Sequence, residues 1–379
     1  MSMDLADRRA LQQRGTRIAF FVAGFGTAAW APLVPFAKAR AGLDDGGLGL
    51  LLLCLGIGSI IAMPLSGVAA SRFGCRPVLA FCAIVVAMML PLLAWLSSPV
   101  ALGLVLFVFG AGVGSIDCVI NVQSVIVERE SGRRMMSNFH GLYSVGGIAG
   151  SAGIGTLLLA GVPLFAASAV AAAIVLAATA YAAPGYLRRG APADGPLLAW
   201  PRGIVLVLGL LCFIVFLTEG AMLDWSAVFL TQIRGLDPAW AGFGYAAFAT
   251  TMTIGRLTGD RVVHALGPVR IAVIGSLLAA SGLALATLVP HAAAGLAGFA
   301  LVGAGCSNIV PVLYSAVGRQ RTMPEHVAVP AISTLGYAGI LAGPAAIGAV
   351  AKSTSLPAAL LGIAVLLLVV TASARILRQ

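Results

Sequence analysis

Three acids stand inside long apolar stretches of this sequence: Asp117, Glu219 and Asp224. An ionisable side chain at the centre of a membrane span costs about 2.5–3.5 kcal/mol on insertion scales, so each needs a reason to be there. Asp117 and Asn121 are four residues apart and share one helix face. His140 and Ser144 repeat that spacing further on, with Tyr143 beside them. A carboxylate and an imidazole in one partly dry layer can pass a proton between them. Glu219 is the foremost proton-carrying candidate, because no basic residue is expected at its depth. Asp224 is expected nearer the outer mouth, beside Trp225. Each has a plainer reading. Asp117 can be a counter-charge for Arg72, Arg76 or Arg134, His140 a packed histidine, and Asp224 a solvated residue at a span end.

Trp30, Tyr143, Trp225, Tyr314 and Tyr337 offer flat faces with polar handles, which suit ring-containing solutes. Interfacial belts also recruit Trp and Tyr at span ends, a reading strongest for Trp95, Trp200 and Trp240. Asn121 and Asn308 can bond a solute or tie helices together. No P-loop, nucleophile elbow, C-x-x-C or H-E-x-x-H occurs, which speaks against an ATP-driven pump or a hydrolase. The six cysteines are scattered without ligand spacing, so neither a metal nor a cofactor is expected.

The elements that must position these residues follow from composition. Of 379 residues, 60% are hydrophobic and 9% charged, and the mean hydropathy is +1.03. A soluble domain carries about 25% charged residues, so most of this surface must face lipid. Apolar stretches of about 20 residues, each long enough to cross the hydrocarbon as a helix, recur throughout. Stretches such as 48–61 and 205–217 are apolar on every side, unlike the alternating strands of a barrel. Spans are expected at 17–37, 46–70, 76–96, 99–124, 137–160, 163–183, 203–230, 239–259, 268–289, 292–316, 327–350 and 355–375. Arg8, Arg9, Arg14 and Arg17 precede the first without a small-residue cleavage site, so it reads as a retained span.

Twelve spans put both termini on one side. That side receives nineteen of the 23 Lys and Arg, and the other only Lys38, Arg40, Arg234 and Lys352. Positive loops stay cytoplasmic, so both termini are expected there. This distribution, short basic loops between spans, argues against nucleic acid as the partner implied by the net charge of +10. The polar, proline-rich stretch 184–202 divides the chain into a six-helix bundle over 1–183 and a second over 203–379. The halves echo each other: Gly110-Ala111-Gly112 returns as Gly303-Ala304-Gly305, and Tyr143, Gly150 and Gly155 as Tyr337, Gly343 and Gly348. The glycines Gly146, Gly150, Gly153 and Gly155, with Gly336, Gly339 and Gly343, form small-residue faces suited to close helix contact.

These features resemble the major facilitator superfamily. The stretch Gly67 to Arg76, with Ser71, Arg72 and Gly74, is similar to its signature cytoplasmic loop, although Ser71 stands where the family usually has an acid. Asp260 and Arg261, with Gly267 and Arg270, form a degraded second copy. A narrower likeness, to the group typified by MosC and YbjJ, lies in Gly114-Ser115, Asp117, Ile120-Asn121-Val122, the run 127–130, the run 140–144, Glu219-Gly220 and Asp224-Trp225, joined by Trp30-Ala31 and the run 62–65. For some members of that group the implied cargo is rhizopine, an inositol derivative.

The resemblance implies an all-α polytopic membrane protein of twelve transmembrane helices in two pseudo-symmetric six-helix bundles. It implies a secondary transporter working by alternating access, its cavity lined by spans one, four, five, seven, ten and eleven, with Gly67 to Arg76, Asp260 and Arg261 at the cytoplasmic gate. Expected partners are a small polar or amphipathic solute (sugar- or inositol-like, or an exported compound), protons and the bilayer, with the chain acting as a monomer. Two other classes compete. A transport-inactive sensor or assembly partner would suit the departure at Ser71, and a membrane-embedded enzyme would use Asp117 and His140 as acid and base.

Overall fold

The structure is a computed structural model that describes residues 5–43, 45–190, 200–236 and 243–378. Among the described residues every regular element is helical. In chain order the α-helices are α1 (Leu5–Ala28), α2 (Val34–Arg40), α3 (Asp45–Phe73), α4 (Cys75–Trp95), α5 (Pro99–Ser131), α6 (Met136–Leu159) and α7 (Leu164–Ala182). Next come α8 (Ile204–Val228), α9 (Phe243–Leu266), α10 (Pro268–Leu288), α11 (Ala292–Cys306), α12 (Ile309–Val317), α13 (Glu325–Ser353) and α14 (Leu356–Ser373). Local sequence accounts for many of the starts. Proline opens α5, α10 and α14 in the first turn, where its missing N–H has no helical partner to lose. At its other end α5 stops on Gly132 at φ +66°, a left-handed conformation that glycine adopts without steric cost.

Twelve spans result. Ten of the described helices are long and apolar enough to cross a bilayer, with α11 and α12 together making one of them. The other two spans are α1 with α2, and α9. These are the polar ones: α1 opens on Arg8, Arg9, Arg14 and Arg17, and α9 carries Arg256, Asp260 and Arg261. Two spans expected to be continuous are broken. The first leaves α-geometry at Ala29-Trp30 and resumes at Val34 after a 3-10 turn, and the tenth is interrupted at Ser307-Asn308. The seventh runs on into a π-turn over Phe229–Ile233.

The chain forms two compact units. One comprises 1–133, 142–200 and 324–330, the other 134–141, 201–323 and 331–379. Each thus takes in the opening turn of a helix, α13 or α6, whose remainder belongs to the other. Within the first unit α5 packs on α1, α3 and α4, and α7 on α1 and α4. Within the second α11 packs on α9 and α10, and α14 on α10 and α8.

The repeat seen in the sequence is a repeat of contacts. A Cβ on Gly110 would stand 1.9 Å from the carbonyl oxygen of Leu55, and one on Gly303 would stand 2.1 Å from that of Phe248. Likewise a Cβ on Gly146 would lie 2.1 Å from Phe21 O, and one on Gly339 would lie 2.3 Å from Phe213 O. Glycine lets backbones meet at these positions, the packing device of membrane helices. Not every expected small-residue position serves it: a Cβ added to Gly153 or Gly155 would meet no described atom within 4 Å.

The start of the stretch expected to link the bundles is packed onto the first unit. Cys75 N donates to Arg189 O and Arg76 N to Leu187 O, at 3.4 and 2.8 Å. Beneath them the buried amide of Gln123 donates to Thr16 Oγ1 and accepts from Leu187 N, at 2.9 and 3.1 Å. Residues 191–199 of that stretch, and Trp240, lie outside the described residues.

Candidate functional site

The apolar helix α8 carries Glu219 fifteen residues from its start, about 22 Å along the axis. Arg256 lies ten residues before the end of α9, about 15 Å in. The two side chains meet: Arg256 Nη2 lies 3.0 Å from Glu219 Oε1 and 3.2 Å from Oε2. The guanidinium is 8% exposed and the carboxylate 17%.

The expectation that no basic residue stands at the depth of Glu219 is therefore wrong. Arg256 counted among the residues of the basic side because it falls near the expected end of the eighth span. But α9 continues to Leu266, which places Arg256 in mid-helix. A long side chain there would snorkel to water if nothing charged lay nearer. Glu219 lies nearer. The count on the basic side becomes eighteen against four once Arg256 is removed.

The break in the tenth span sits against the same face of α9. Arg256 Nε points to Ser307 O at 3.4 Å, and Asn308 Nδ2 donates to Gly255 O at 2.9 Å. Gly255 and Gly259 make this possible, since a Cβ on either would lie 2.4 Å from Ser307 Oγ or 1.8 Å from Asn308 Oδ1. Non-helical backbone at membrane depth needs partners within the protein, and α9 supplies them. The break and the ion pair form one polar site in the second unit, built from α8, α9 and the α11–α12 junction.

The other candidates divide between the units. In the second, His140 stacks at a tilt on Tyr314, ring centroids 5.8 Å apart, and Tyr314 Oη is 2.7 Å from Ser333 Oγ. Tyr337 meets Phe216 edge-on at 6.2 Å. Trp225 packs beside Gly348, and its buried Nε1 has no hydrogen-bond partner among the described residues. Asp224 is exposed. In the first unit Asp117 is buried on α5, and Asn121 Nδ2 bonds back to Asp117 O at 2.8 Å. Asn121 Oδ1 and the Nε1 of buried Trp30 have no partner among the described residues. Tyr143 is half-buried, and its carbonyl lies against Gly24 of α1.

The expected gate loops show an asymmetry. In the second unit both carboxylate oxygens of Asp260 accept from the first-turn N–H groups of α6, Ser137 and Asn138, each at 2.9 Å. In the first unit the equivalent position is Gly67, which lies against Pro330 and the carbonyl of His326 in the first turn of α13. There the charge comes from α13 itself, where Glu325 pairs with Arg129 at 2.7 Å. Ser71 Oγ donates to Val68 O of its own helix, while Arg72 and Arg261 are exposed. Gly74, at φ +88°, lies against Arg188 O. Neither Gln123 nor the Arg129–Glu325 pair was foreseen. Their signals are weak in a sequence, since a glutamine in an apolar run and an arginine near a loop are both ordinary.

Comparison with known proteins places this architecture. The Major Facilitator Superfamily profile matches residues 17–329. An uncharacterized MFS-type transporter of Yersinia pestis is 54% identical over 366 residues, 96% of this chain and 95% of that one. The chain belongs to the major facilitator superfamily. This MFS transporter, a multi-pass membrane protein, is also 31% identical to the membrane protein MosC of Rhizobium meliloti over 345 residues, 90% of this chain and 84% of that one. Its fold is that of the Escherichia coli fucose:proton symporter FucP, with a TM-score of 0.81 at 16% identity and 98% of both chains covered.

Proposed function

We propose that this MFS transporter moves a small polar or amphipathic organic solute across the bacterial inner membrane by alternating access, coupled to protons through Glu219. The observation that carries the reading is the Glu219–Arg256 pair at mid-span. A buried ion pair costs several kcal/mol of desolvation per ion and is often no more stabilising than apolar residues of the same size. Its presence in a lipid-embedded bundle is better explained by use than by stability. Glu219 can take a proton while the partly exposed side of its carboxylate faces an open route. One proton crossing about 100 mV yields roughly 2.3 kcal/mol, close to a fifty-fold gradient of solute.

The fold it shares with a fucose:proton symporter is compatible with this reading. With eighteen basic residues against four, both termini are assigned to the cytoplasm. Trp30 in the first unit and Trp225 in the second are each a proposed solute contact of its own unit, because neither buried indole N–H has a partner among the described residues. Tyr143 and Tyr337 can add ring faces, and Asp117 and Asn121 a polar patch on α5.

The test is transport by purified protein in liposomes, using a solute selected because it raises the thermal midpoint of the protein. Glu219→Gln should abolish accumulation driven by a pH gradient and leave exchange of solute for solute intact. Undiminished pH-driven accumulation in that variant rules Glu219 out.

A further inference from the structure

We infer that the first unit carries a binding site for an anionic phospholipid, its phosphate held by Arg72, Arg76 and Arg188 and an acyl chain laid along the outer face of α4.

Backbone docking makes the site. The chain turns from α3 into α4 at Gly74, and the segment after α7 folds onto that turn. Cys75 N donates to Arg189 O and Arg76 N to Leu187 O, while a Cβ on Gly190 would lie 2.1 Å from Ala70 O. Residues 70–76 and 184–190, thus joined, hold four arginines and no acid. Topology requires only that basic residues lie on one side of the membrane. Tying two basic segments together goes further, because like charges brought close repel and a guanidinium stays charged at any accessible pH.

The protein's own acids neutralise only part of this charge. Glu130 pairs with Arg189. Glu325, within electrostatic reach of Cys75, is held by Arg129. Among the described residues no carboxylate pairs with Arg72, Arg76 or Arg188. Ser71 supplies no charge and donates its hydroxyl to Val68 O. Arg72 and Arg188 are exposed and Arg76 is half-buried, so all three can be reached from outside. A phosphate accepts paired N–H bonds from such guanidiniums.

What lies beside the arginines separates a lipid from a soluble anion. Phe73, next to Arg72, is 68% exposed. Phe81 is 67% exposed and stands five residues beyond Arg76, about 7.5 Å along the axis of α4. Ile84 and Met88 follow at spacings of three and four and extend the same exposed face. Apolar surface that begins within two turns of a cationic cluster fits a molecule with a phosphate at one end and hydrocarbon behind it. A free phosphate would leave that surface unused.

The experiment titrates the full-length protein in detergent with dioleoylphosphatidylglycerol, dioleoylphosphatidylcholine and inorganic phosphate, and counts bound lipid by native mass spectrometry. Phosphatidylglycerol should bind about tenfold or more tightly than phosphatidylcholine, and phosphate should not displace it. An arginine at a lipid surface is worth about fivefold in affinity, so R72Q/R76Q/R188Q should lose about a hundredfold. R8Q/R9Q/R14Q removes the same charge from exposed arginines at the start of α1 and should lose less than about fivefold. Ser71→Asp leaves every arginine in place, adds an acid to the cluster and should weaken binding by about fivefold. Thermal midpoints without lipid check that each variant is folded. Equal affinity for the two lipids, undiminished binding in R72Q/R76Q/R188Q or in Ser71→Asp, or equal losses in the two triple variants overturns the inference. Displacement of phosphatidylglycerol by inorganic phosphate overturns it as well, since it marks a site for free anions.

Discussion

Arg40 and Arg234 make the same contact in the two halves of the chain. Arg40 donates from Nε and Nη2 to the carbonyls of Leu96 and Leu93 at the end of α4, at 2.8 and 2.7 Å. Arg234 donates to those of Ala286 and Thr287 at the end of α10, at 2.7 Å from Nη2. The last carbonyls of a helix lack partners and carry its negative dipole end, so a guanidinium there is favourable. These are two of the four basic residues on the side that otherwise avoids them, and the contact explains their presence.

Arg40→Ala and Arg234→Ala should each destabilise the protein by about 2 kcal/mol, the usual worth of hydrogen bonds to a charged group. Arg234→Ala should be the worse, because its guanidinium also lies 4.9 Å from the ring centre of Phe229. Thermal unfolding in detergent measures both. Because the sites lie in different compact units, their effects should add. An unchanged midpoint in either variant contradicts the capping role.

Gly110→Ala and Gly303→Ala should be poorly tolerated, each costing about 1–3 kcal/mol, because the new methyl meets a backbone oxygen that cannot turn aside. Gly153→Ala is the control. It has open space and should be neutral or stabilising by up to about 1 kcal/mol through helix propensity. Yield and thermal midpoint of the three variants decide the matter, and equal losses in all three would show that close approach is not what these glycines provide.

Much of this fold was legible because hydrophobic length, basic loops and repeated glycines are properties of the linear chain. The spacing that relates Gly110 to Gly303 was visible before any coordinate, and the contacts repeat with it. What could not be read were pairings in depth. Arg256 stood near an expected span end, and only the true end of α9 shows that it turns inward to Glu219. The breaks at Trp30 and at Ser307-Asn308 carry no hydropathy signal, since apolar residues surround both. Asp260 was expected in a loop motif but lies within α9, and its contact with the N–H groups of Ser137 and Asn138 depends on tertiary packing.

That contact supplies a further prediction. Asp260→Ala removes an acceptor and a negative charge from the start of α6, a loss of about 1–2 kcal/mol. Hydrogen exchange at the amides of Ser137 and Asn138 should quicken, and Asp260→Asn, which keeps one acceptor, should fall between the two. Exchange as slow in Asp260→Ala as in the parent would remove Asp260 as the cap.

Trp225→Phe keeps an aromatic ring on α8 but deletes the indole N–H, which has no partner among the described residues, together with the ring edge beside Gly348. A solute contact predicts binding weakened by about 1 kcal/mol beyond any change in the thermal midpoint measured without solute. A fall in that midpoint with binding unchanged would make Trp225 a packing residue.

The most direct measurement on the central claim follows the proton itself. Infrared difference spectra of the membrane-reconstituted protein, taken on acidification in the presence of solute, report carboxylates as they become carboxylic acids. With Glu219 as the carrier, the parent shows a protonated-carboxyl band that disappears in Glu219→Gln. The same band at full strength in Glu219→Gln would place the proton elsewhere and contradict the account.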